Sequence, residues 1–189
     1  MTSIPIDITT ERLHLRTITR ADVTQAYVGW LNDEHVNRYL ECRFEISTLT
    51  SVRRYVDAIL ADHRFLFVAI EDENGTHIGN IKLGPIDWHH RRGEIGIMIG
   101  HAAAWGKGLA TEAIRSLSIF GFRQLNLAKL TAHAYAPNLA SIAAFQLAGY
   151  DIEGTLKEHV QLDGIRCDVV ALGSVGARDE SAIPPDPLC

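Results

Sequence analysis

The sequence has few of the residues on which disulfide-rich and metal-binding proteins depend. Its three cysteines are an odd number without CxxC spacing, so neither a disulfide framework nor a thiolate metal site is indicated. Its nine histidines include no HExxH pair, which argues against a catalytic zinc site. We therefore expect a protein that uses no metal.

Long apolar runs and an excess of positive charge are missing as well. No stretch approaches the roughly 18 apolar residues of a membrane span, and the first ten residues lack the order of a signal peptide. The formal net charge of −5 gives no support for nucleic acid as a partner. We therefore expect a cytoplasmic protein whose partners are neither membranes nor nucleic acids.

The composition that remains is typical of one globular domain. Hydrophobic residues make up 47% of the chain and charged residues 22%, and 189 residues can bury a sizeable core. We expect a single domain over 1–175. The tail, 176–189, is polar and proline-rich, which predicts disorder.

Hydrophobic periodicity and turn residues predict a mixed α/β (α+β) fold with seven strands and four helices. Asn74-Gly75 and Asp163-Gly164 are two-residue hairpin signals, and Asp22 is expected to cap the first helix. The strands are expected at 12–18, 65–70, 77–86, 94–99, 127–135, 152–162 and 165–175. The helices are expected at about 22–31 with a continuation to 40, from about 47 or 50 to 62, at 109–122 and from 138 to just before 149.

The strongest functional signal is WGKGLA, residues 105–110, where an apolar strand leads into a helix. The first N–H groups of a helix have no intrahelical partner and carry partial positive charge, so they attract phosphate. Gly106 and Gly108 would let a pyrophosphate approach the backbone, and Lys107 adds a positive charge. On these residues alone, a phosphate site and a plain strand-to-helix turn both remain open.

Two familiar phosphate loops do not fit this stretch. A Walker loop needs Ser or Thr after its lysine, and here Gly108 follows Lys107. A dinucleotide fingerprint needs a third small residue at Thr111 and a carboxylate about 20 residues further on, where none occurs. The loop therefore belongs to another class.

The segment 105–113, WGKGLATEA, resembles the acyl-CoA loop of the GCN5-related N-acetyltransferases, the GNAT superfamily. Trp105 stands at that loop's Gln/Arg position, as in the branch of ribosomal-protein N-terminal, amino-sugar and polyamine acetyltransferases. The segment 138–150, NLASIAAFQLAGY, is similar to the family's Asn-x-x-Ser/Ala helix that ends in Gly-Phe/Tyr. Two motifs in the expected order are more specific than either alone, and the resemblance covers roughly residues 10 to 175.

The resemblance implies a mostly antiparallel seven-stranded sheet with a splayed central parallel pair, flanked by about four helices. It implies acetyl-CoA as co-substrate, with its pantetheine arm in the opening between the splayed strands. The residues implied in coenzyme A binding are Ile97, Met98, Ile99, Trp105, Gly106, Lys107, Gly108, Leu109, Ala110, Thr111 and Asn138.

The resemblance also implies catalytic roles for Glu94 and Ser141. Glu94 matches the position of a base carboxylate, and a carboxylate that begins an apolar strand is costly without a task. The alternatives are pairing with a neighbouring arginine or pointing to solvent. Phe145 replaces the tyrosine with which many relatives protonate the thiolate, which leaves Ser141 as the candidate acid. Ser141 can equally bond its own helix backbone, and Asn138 can cap that helix while contacting coenzyme A.

The acceptor side is weakly marked. Trp30, Tyr39, Trp88 and His89 are candidates for aromatic walls of a substrate cleft, although each can equally be a packing residue. The expected acceptor is a primary amine, either a protein N-terminus or a small molecule such as an amino-sugar nucleotide or polyamine, and a homodimer is left open. The alternative function is a non-catalytic acyl-CoA-binding module, which the missing tyrosine favours.

Overall fold

The fold is described here for residues 4–177 of a computed structural model, and a mixed sheet of eight strands organises it. The strand order is β1-β2-β3-β4-β5-β6-β8-β7. The strands are β1 (Asp7–Thr9), β2 (Leu13–Thr17), β3 (Leu66–Asp72), β4 (His77–Leu83), β5 (Arg92–Ile99), β6 (Lys129–Tyr135), β7 (Asp151–Leu162) and β8 (Ile165–Val175). The helices are α1 (Gln25–Asn32), α2 (Glu34–Asn37), α3 (Leu49–Ala61), α4 (Leu109–Arg123) and α5 (Leu139–Leu147).

The architecture agrees with the expected fold except for two short elements. Strand β1 has only three residues, too few to show a period of two, and it becomes a strand because it pairs antiparallel with β2. Helix α2 is a single turn, separated from α1 by Asp33, whose extended backbone interrupts the helix and whose side chain caps α2. The four remaining helices have eight or more residues and match the four that the sequence predicted.

The capping residue of α1 is not the predicted one. Thr24 accepts the hydrogen bond from the backbone N–H of Tyr27, whereas Asp22 precedes the helix and is buried. Asp22 instead accepts two hydrogen bonds from the Arg16 guanidinium, at 2.6 and 2.9 Å. Burial works to raise the pKa of Asp22, but hydrogen bonds from Arg16 and Thr19 outweigh it and hold the pKa at about 2. Asp22 was therefore wrongly predicted as the cap of α1, because its carboxylate pairs with Arg16 on β2.

Both predicted hairpins form, but only the second has the predicted two-residue turn. Four residues, 73–76, connect β3 to β4, and among them Gly75 has a φ of +73°, which glycine adopts without a steric penalty. Asp163-Gly164 connects β7 to β8 with both residues at positive φ, as a two-residue type I′ turn requires.

The sheet carries one hydrophobic cluster on each face, and the side chains of β3 point alternately into the two clusters. Val68 and Ile70 pack in the larger cluster, which includes Ile114 and Leu117 of α4. Phe67 and Ala69 point the other way, into the cluster beneath α1 and α3. Helices α4 and α5 therefore cover one face of the sheet, and α1 and α3 cover the other.

The central feature of the sheet is the parallel pair formed by β5 and β6. Their register covers only three positions, Arg92 with Lys129, Gly93 with Leu130 and Glu94 with Thr131. Beyond Glu94 the two strands part, while β5 stays paired with β4 up to Ile99. The predicted splayed pair is confirmed, and Glu94 lies at its vertex.

Within the part of the chain that the structure describes, no helix has the length and apolar character needed to cross a membrane. A cytoplasmic location stays a prediction. The predicted disorder of the tail falls mainly on residues 178–189, which lie outside the described residues.

Candidate active site

The loop between β5 and α4 has the backbone that its glycines allow. Gly106 and Gly108 have φ values of +72° and +77°, in the left-handed region that side chains disfavour. Gly108 is the N-cap of α4 and provides no side-chain cap, so the first-turn N–H groups of the helix are available to an external acceptor. A Cβ at Gly106 would meet no atom of the described residues within 4 Å, so the surface above the loop is open. This cradle fits a pyrophosphate.

The two ends of this loop are held by Trp105 and Leu109. The indole N–H of Trp105 donates to the Ile99 carbonyl at 2.7 Å, which ties the loop to the end of β5. Leu109 is buried against the core and anchors the first residue of α4. Lys107, Ala110 and Thr111 complete the stretch, with Lys107 exposed on the surface. The residues predicted to bind the pyrophosphate thus form one continuous turn.

A small cavity of about 120 Å³ occupies the opening between β5 and β6. Ile97 lines it from β5, and Asn138, Ser141 and Phe145 line it from α5 and its cap. The Asn138 side chain accepts a hydrogen bond from the Ser141 backbone N–H at 3.2 Å, so Asn138 caps α5 while it borders the cavity. The capping role and a ligand-facing position therefore coexist.

A larger cleft of about 1030 Å³ lies on the face of the sheet that carries α1 and α3. Its floor includes Lys82, Glu94, Gly96 and Met98 from the middle of β4 and β5, and a Cβ at Gly96 would meet no atom of the described residues within 4 Å. His133 borders both this cleft and the small cavity. The two spaces therefore share a wall near the point where β5 and β6 part.

Glu94 and His133 form a pair on this shared wall. The Glu94 Oε1 atom lies 3.2 Å from the His133 Nδ1 atom, and the two side chains are 45% and 41% exposed. The expectation that Glu94 is buried at the start of an apolar strand is therefore wrong, and so is the argument from its desolvation cost. Its partner is His133 rather than Arg91 or Arg92, and what favours a chemical role is its position at the vertex of the splayed strands.

Sequence reasoning did not identify His133 or the hydroxyl of Tyr135. Tyr135 lies two residues beyond His133 on β6 and borders both cavities. Its hydroxyl donates to Glu41 at 2.6 Å and accepts from Arg43 at 3.0 Å. Burial and the Glu41 carboxylate raise the pKa of Tyr135, because both disfavour tyrosinate. Period-two alternation from Thr131 could have placed His133 and Tyr135 on one face, but not the contact with Glu41, 94 residues away.

Of the four aromatic residues predicted for the acceptor side, Tyr39 borders the cleft, and its ring packs at a tilt against that of Tyr135, with the centroids 5.9 Å apart. Trp30 packs against Tyr27 and His77, and a Cβ at Gly100 would clash with its ring. Trp88 and His89 lie in the connection between β4 and β5. Among the described residues that line the cleft, Trp30, Trp88 and His89 do not occur.

Within residues 4–177, no three histidine, cysteine, aspartate or glutamate side chains are grouped so that they could hold a metal ion.

Comparisons with known proteins identify the family of this chain. The family model described as "Acetyltransferase (GNAT) domain" matches residues 12–151. The uncharacterized N-acetyltransferase p20 of Bacillus licheniformis is 31% identical over 167 residues, which are 85% of this chain and 90% of that protein. The aminoglycoside N(6')-acetyltransferase type 1 of Klebsiella pneumoniae is 27% identical over 154 residues, 75% of either chain.

A similar fold is found in the crystal structure of a spermidine N-acetyltransferase from Vibrio cholerae in complex with CoA and spermine. The TM-score is 0.79 at 24% sequence identity, and the alignment covers 88% of this chain and 96% of that one. The family match includes the loop, both splayed strands and all five helices of the described residues. The chain therefore belongs to the GNAT family of acetyltransferases, enzymes whose acyl donor is acetyl-CoA.

Proposed function

We propose that this protein transfers the acetyl group of acetyl-CoA to a primary amine bound in the large cleft, with Glu94 as the base. The observation that carries the proposal is the Glu94–His133 pair at the vertex of the splayed strands. An amine in the cleft can reach this pair from one side, and an acyl group in the opening between β5 and β6 can reach it from the other. Of the residues predicted to bind coenzyme A, Ile97 and Asn138 border that opening, and 105–111 lie at the start of α4. Met98 instead lines the large cleft.

The first task of the protein is to remove a proton from the acceptor. A primary amine with a pKa near 8 to 10 is mostly ammonium at neutral pH and cannot attack a carbonyl in that form. The Glu94 carboxylate accepts this proton, directly or through a water molecule. His133, within hydrogen-bond distance of Glu94, orients the carboxylate and can pass the proton on. Acetyl-CoA supplies the acetyl group as an activated thioester.

Ser141 is proposed as the group that passes a proton to the departing thiolate and regains one from water, because Phe145 has no proton to give. Ser141→Ala should lower kcat by less than Glu94→Gln does, since an ordinary thiol has a pKa of about 8.5 and can leave unprotonated. Steady-state kinetics at pH 7 would measure the loss, and Ser118→Ala, a buried serine bonded to Tyr150, is the matched control. A larger loss from Ser141→Ala than from Glu94→Gln would contradict this assignment.

The charge around the cleft favours a cationic acceptor. Glu41, Glu45 and Glu94 border it, whereas Lys82 is the only lysine or arginine among the described lining residues. Lys82 is itself held by the Tyr55 hydroxyl at 3.1 Å. Carboxylates attract ammonium groups and repel the diphosphate of an amino-sugar nucleotide. We therefore propose that the acceptor is a small molecule with several amino groups, as aminoglycosides and spermidine are. A protein N-terminus is the second candidate.

The test is thiol release from acetyl-CoA in the presence of a panel of amines. The panel contains spermidine, an aminoglycoside, a peptide with a free N-terminus and an amino-sugar nucleotide, each at equal concentration. The proposal expects the polyamine or the aminoglycoside to give the highest kcat/KM. Turnover with the sugar nucleotide alone would contradict the proposed acceptor class while leaving acetyl transfer intact.

A non-catalytic acyl-CoA-binding module is the alternative, and the buried Phe145 in place of tyrosine favours it. Coenzyme A would raise the melting temperature of such a module, which would release no thiol with any amine in the panel.

Homodimer formation also stays a prediction, and sedimentation of the purified chain would measure it.

Gly96 borders both the cleft and the small cavity, so a substitution there tests the acceptor site when the affinity for acetyl-CoA is measured alongside. Gly96→Val should raise the KM for the amine tenfold or more, because valine suits a strand and its side chain would stand in the open floor of the cleft. The control is Gly154→Val on β7, where a Cβ also meets no atom of the described residues within 4 Å. An unchanged KM for the amine in a folded Gly96→Val variant would contradict the placement of the acceptor.

A further inference from the structure

A negatively charged side chain lies next to the turn where the pyrophosphate of coenzyme A is proposed to bind, and its charge would repel that ligand. Glu112 lies in the first turn of α4, beside the N–H groups expected to hold a pyrophosphate. Its side chain is only 16% exposed, so solvent screens its charge poorly. A free carboxylate there would repel phosphate and weaken the positive end of the helix.

Residues from the other end of the chain compensate this charge. One Glu112 oxygen accepts hydrogen bonds from the Thr10 hydroxyl at 2.6 Å and from the Arg12 backbone N–H at 3.0 Å. The other accepts from the Arg12 Nε atom at 2.7 Å and lies 2.6 Å from Arg12 Nη2. Burial works to raise the pKa of Glu112, but these bonds outweigh it and lower the pKa, so the carboxylate is ionised and fully paired.

The same guanidinium also holds the loop itself. Arg12 Nη1 donates to the Lys107 carbonyl at 2.8 Å, and a Cβ at Gly108 would lie 3.7 Å from Nη2. Arg12 thus bridges the loop and the first turn of α4 with three nitrogen atoms, which the planar fork of arginine permits and a lysine ammonium does not. The Lys107 carbonyl is thereby turned toward Arg12.

We propose that Arg12 is a positioning residue for coenzyme A: it neutralises Glu112 and fixes the Lys107 carbonyl, so that the turn presents N–H groups and no free negative charge to the pyrophosphate. The proposal rests on coenzyme A binding at this turn and is independent of which amine is acetylated. Arg12 lies 100 residues from Glu112 in the sequence, so the loop motif alone gives no sign of it.

The test compares the affinities of the wild type, Arg12→Gln and a double variant for coenzyme A, measured by calorimetry on the full chain without acceptor. Arg12→Gln should raise the Kd about tenfold, because Glu112 is then uncompensated. The double variant Arg12→Gln/Glu112→Gln should bind coenzyme A with a Kd at least threefold lower than that of Arg12→Gln, since the repelling charge is gone. Because Glu112 is mostly buried, high salt should reduce the defect of Arg12→Gln only in part, and it should change the Kd of the double variant still less.

Two further variants separate this role from general stability. Arg20→Gln removes an exposed ion pair with Asp57, 2.9 Å long, and should leave the Kd unchanged. Arg12→Lys keeps the charge but cannot bridge both groups, so its Kd should lie between those of the wild type and Arg12→Gln. It also provides the measurement if Arg12→Gln does not fold.

Either of two results would overturn the proposal. One is a Kd for the arginine variants equal to that of the wild type. The other is a double variant that binds as weakly as Arg12→Gln, which would mean that Arg12 contacts a phosphate directly rather than acting through Glu112.

Discussion

Glu94→Gln should lower kcat about 100-fold, with the affinity for acetyl-CoA almost unchanged. Glutamine keeps the shape of the side chain and can still bond His133, but it cannot accept the proton of the acceptor ammonium. A factor of 100 is the lower end of typical general acid–base contributions and corresponds to about 2.7 kcal/mol of transition-state stabilisation. Steady-state kinetics with the best amine of the panel, together with a separate coenzyme A titration, would measure both quantities.

The pH dependence of this loss distinguishes a base from a binding group. As the pH rises toward the pKa of the amine, bulk solution supplies more neutral acceptor, so the ratio of wild-type to variant kcat should fall. If Glu94 only attracted the ammonium, the variant would show a raised KM instead of a lowered kcat.

The matched control is Glu45→Gln, which makes the same substitution at another carboxylate bordering the cleft. It should change KM for a cationic amine without the large loss in kcat. A Glu94→Gln variant with the wild-type rate across pH 6 to 9 would show that water, or another group, removes the proton.

The sequence predicts much of the fold because many of its determinants are local. Asn74-Gly75 and Asp163-Gly164 define hairpins through the φ values of the turn residues, and alternation along β3 assigns its two faces. The errors arise where pairing with a neighbouring element, rather than a pattern within the segment itself, decides the outcome. Strand β1 exists only through its pairing with β2, and Asp22 bonds Arg16 instead of capping α1.

The candidate site likewise has a part that can be predicted from the sequence and a part that cannot. The loop that begins α4 can be predicted because glycines, a lysine and a helix start are adjacent in the sequence. The pairing of Glu94 with His133 and the contact of Tyr135 with Glu41 depend on how strands and loops are placed in space. A sequence pattern can identify Glu94 as a candidate, but it cannot show that the side chain is half exposed and faces a cleft.

Gly108→Asp should weaken acetyl-CoA binding at least tenfold, about 1.4 kcal/mol. Gly108 is the N-cap of α4, so a carboxylate there would stand where a phosphate is expected and would lower the positive potential of the helix start. A Cβ at this position would lie 3.7 Å from Arg12 Nη2, so the new carboxylate would also compete with Glu112 for Arg12. The substitution thus leaves one carboxylate without a cationic partner beside the expected pyrophosphate.

Backbone strain has to be separated from this charge effect, because any side chain at a φ of +77° is strained. Gly108→Asn is the matched control, since asparagine has nearly the same shape, tolerates the left-handed region and is neutral. The Kd of the aspartate variant should exceed that of the asparagine variant, and the difference should narrow as salt screens the added charge. Equal affinities of the wild type and a folded Gly108→Asp variant would show that the pyrophosphate does not bind at the start of α4.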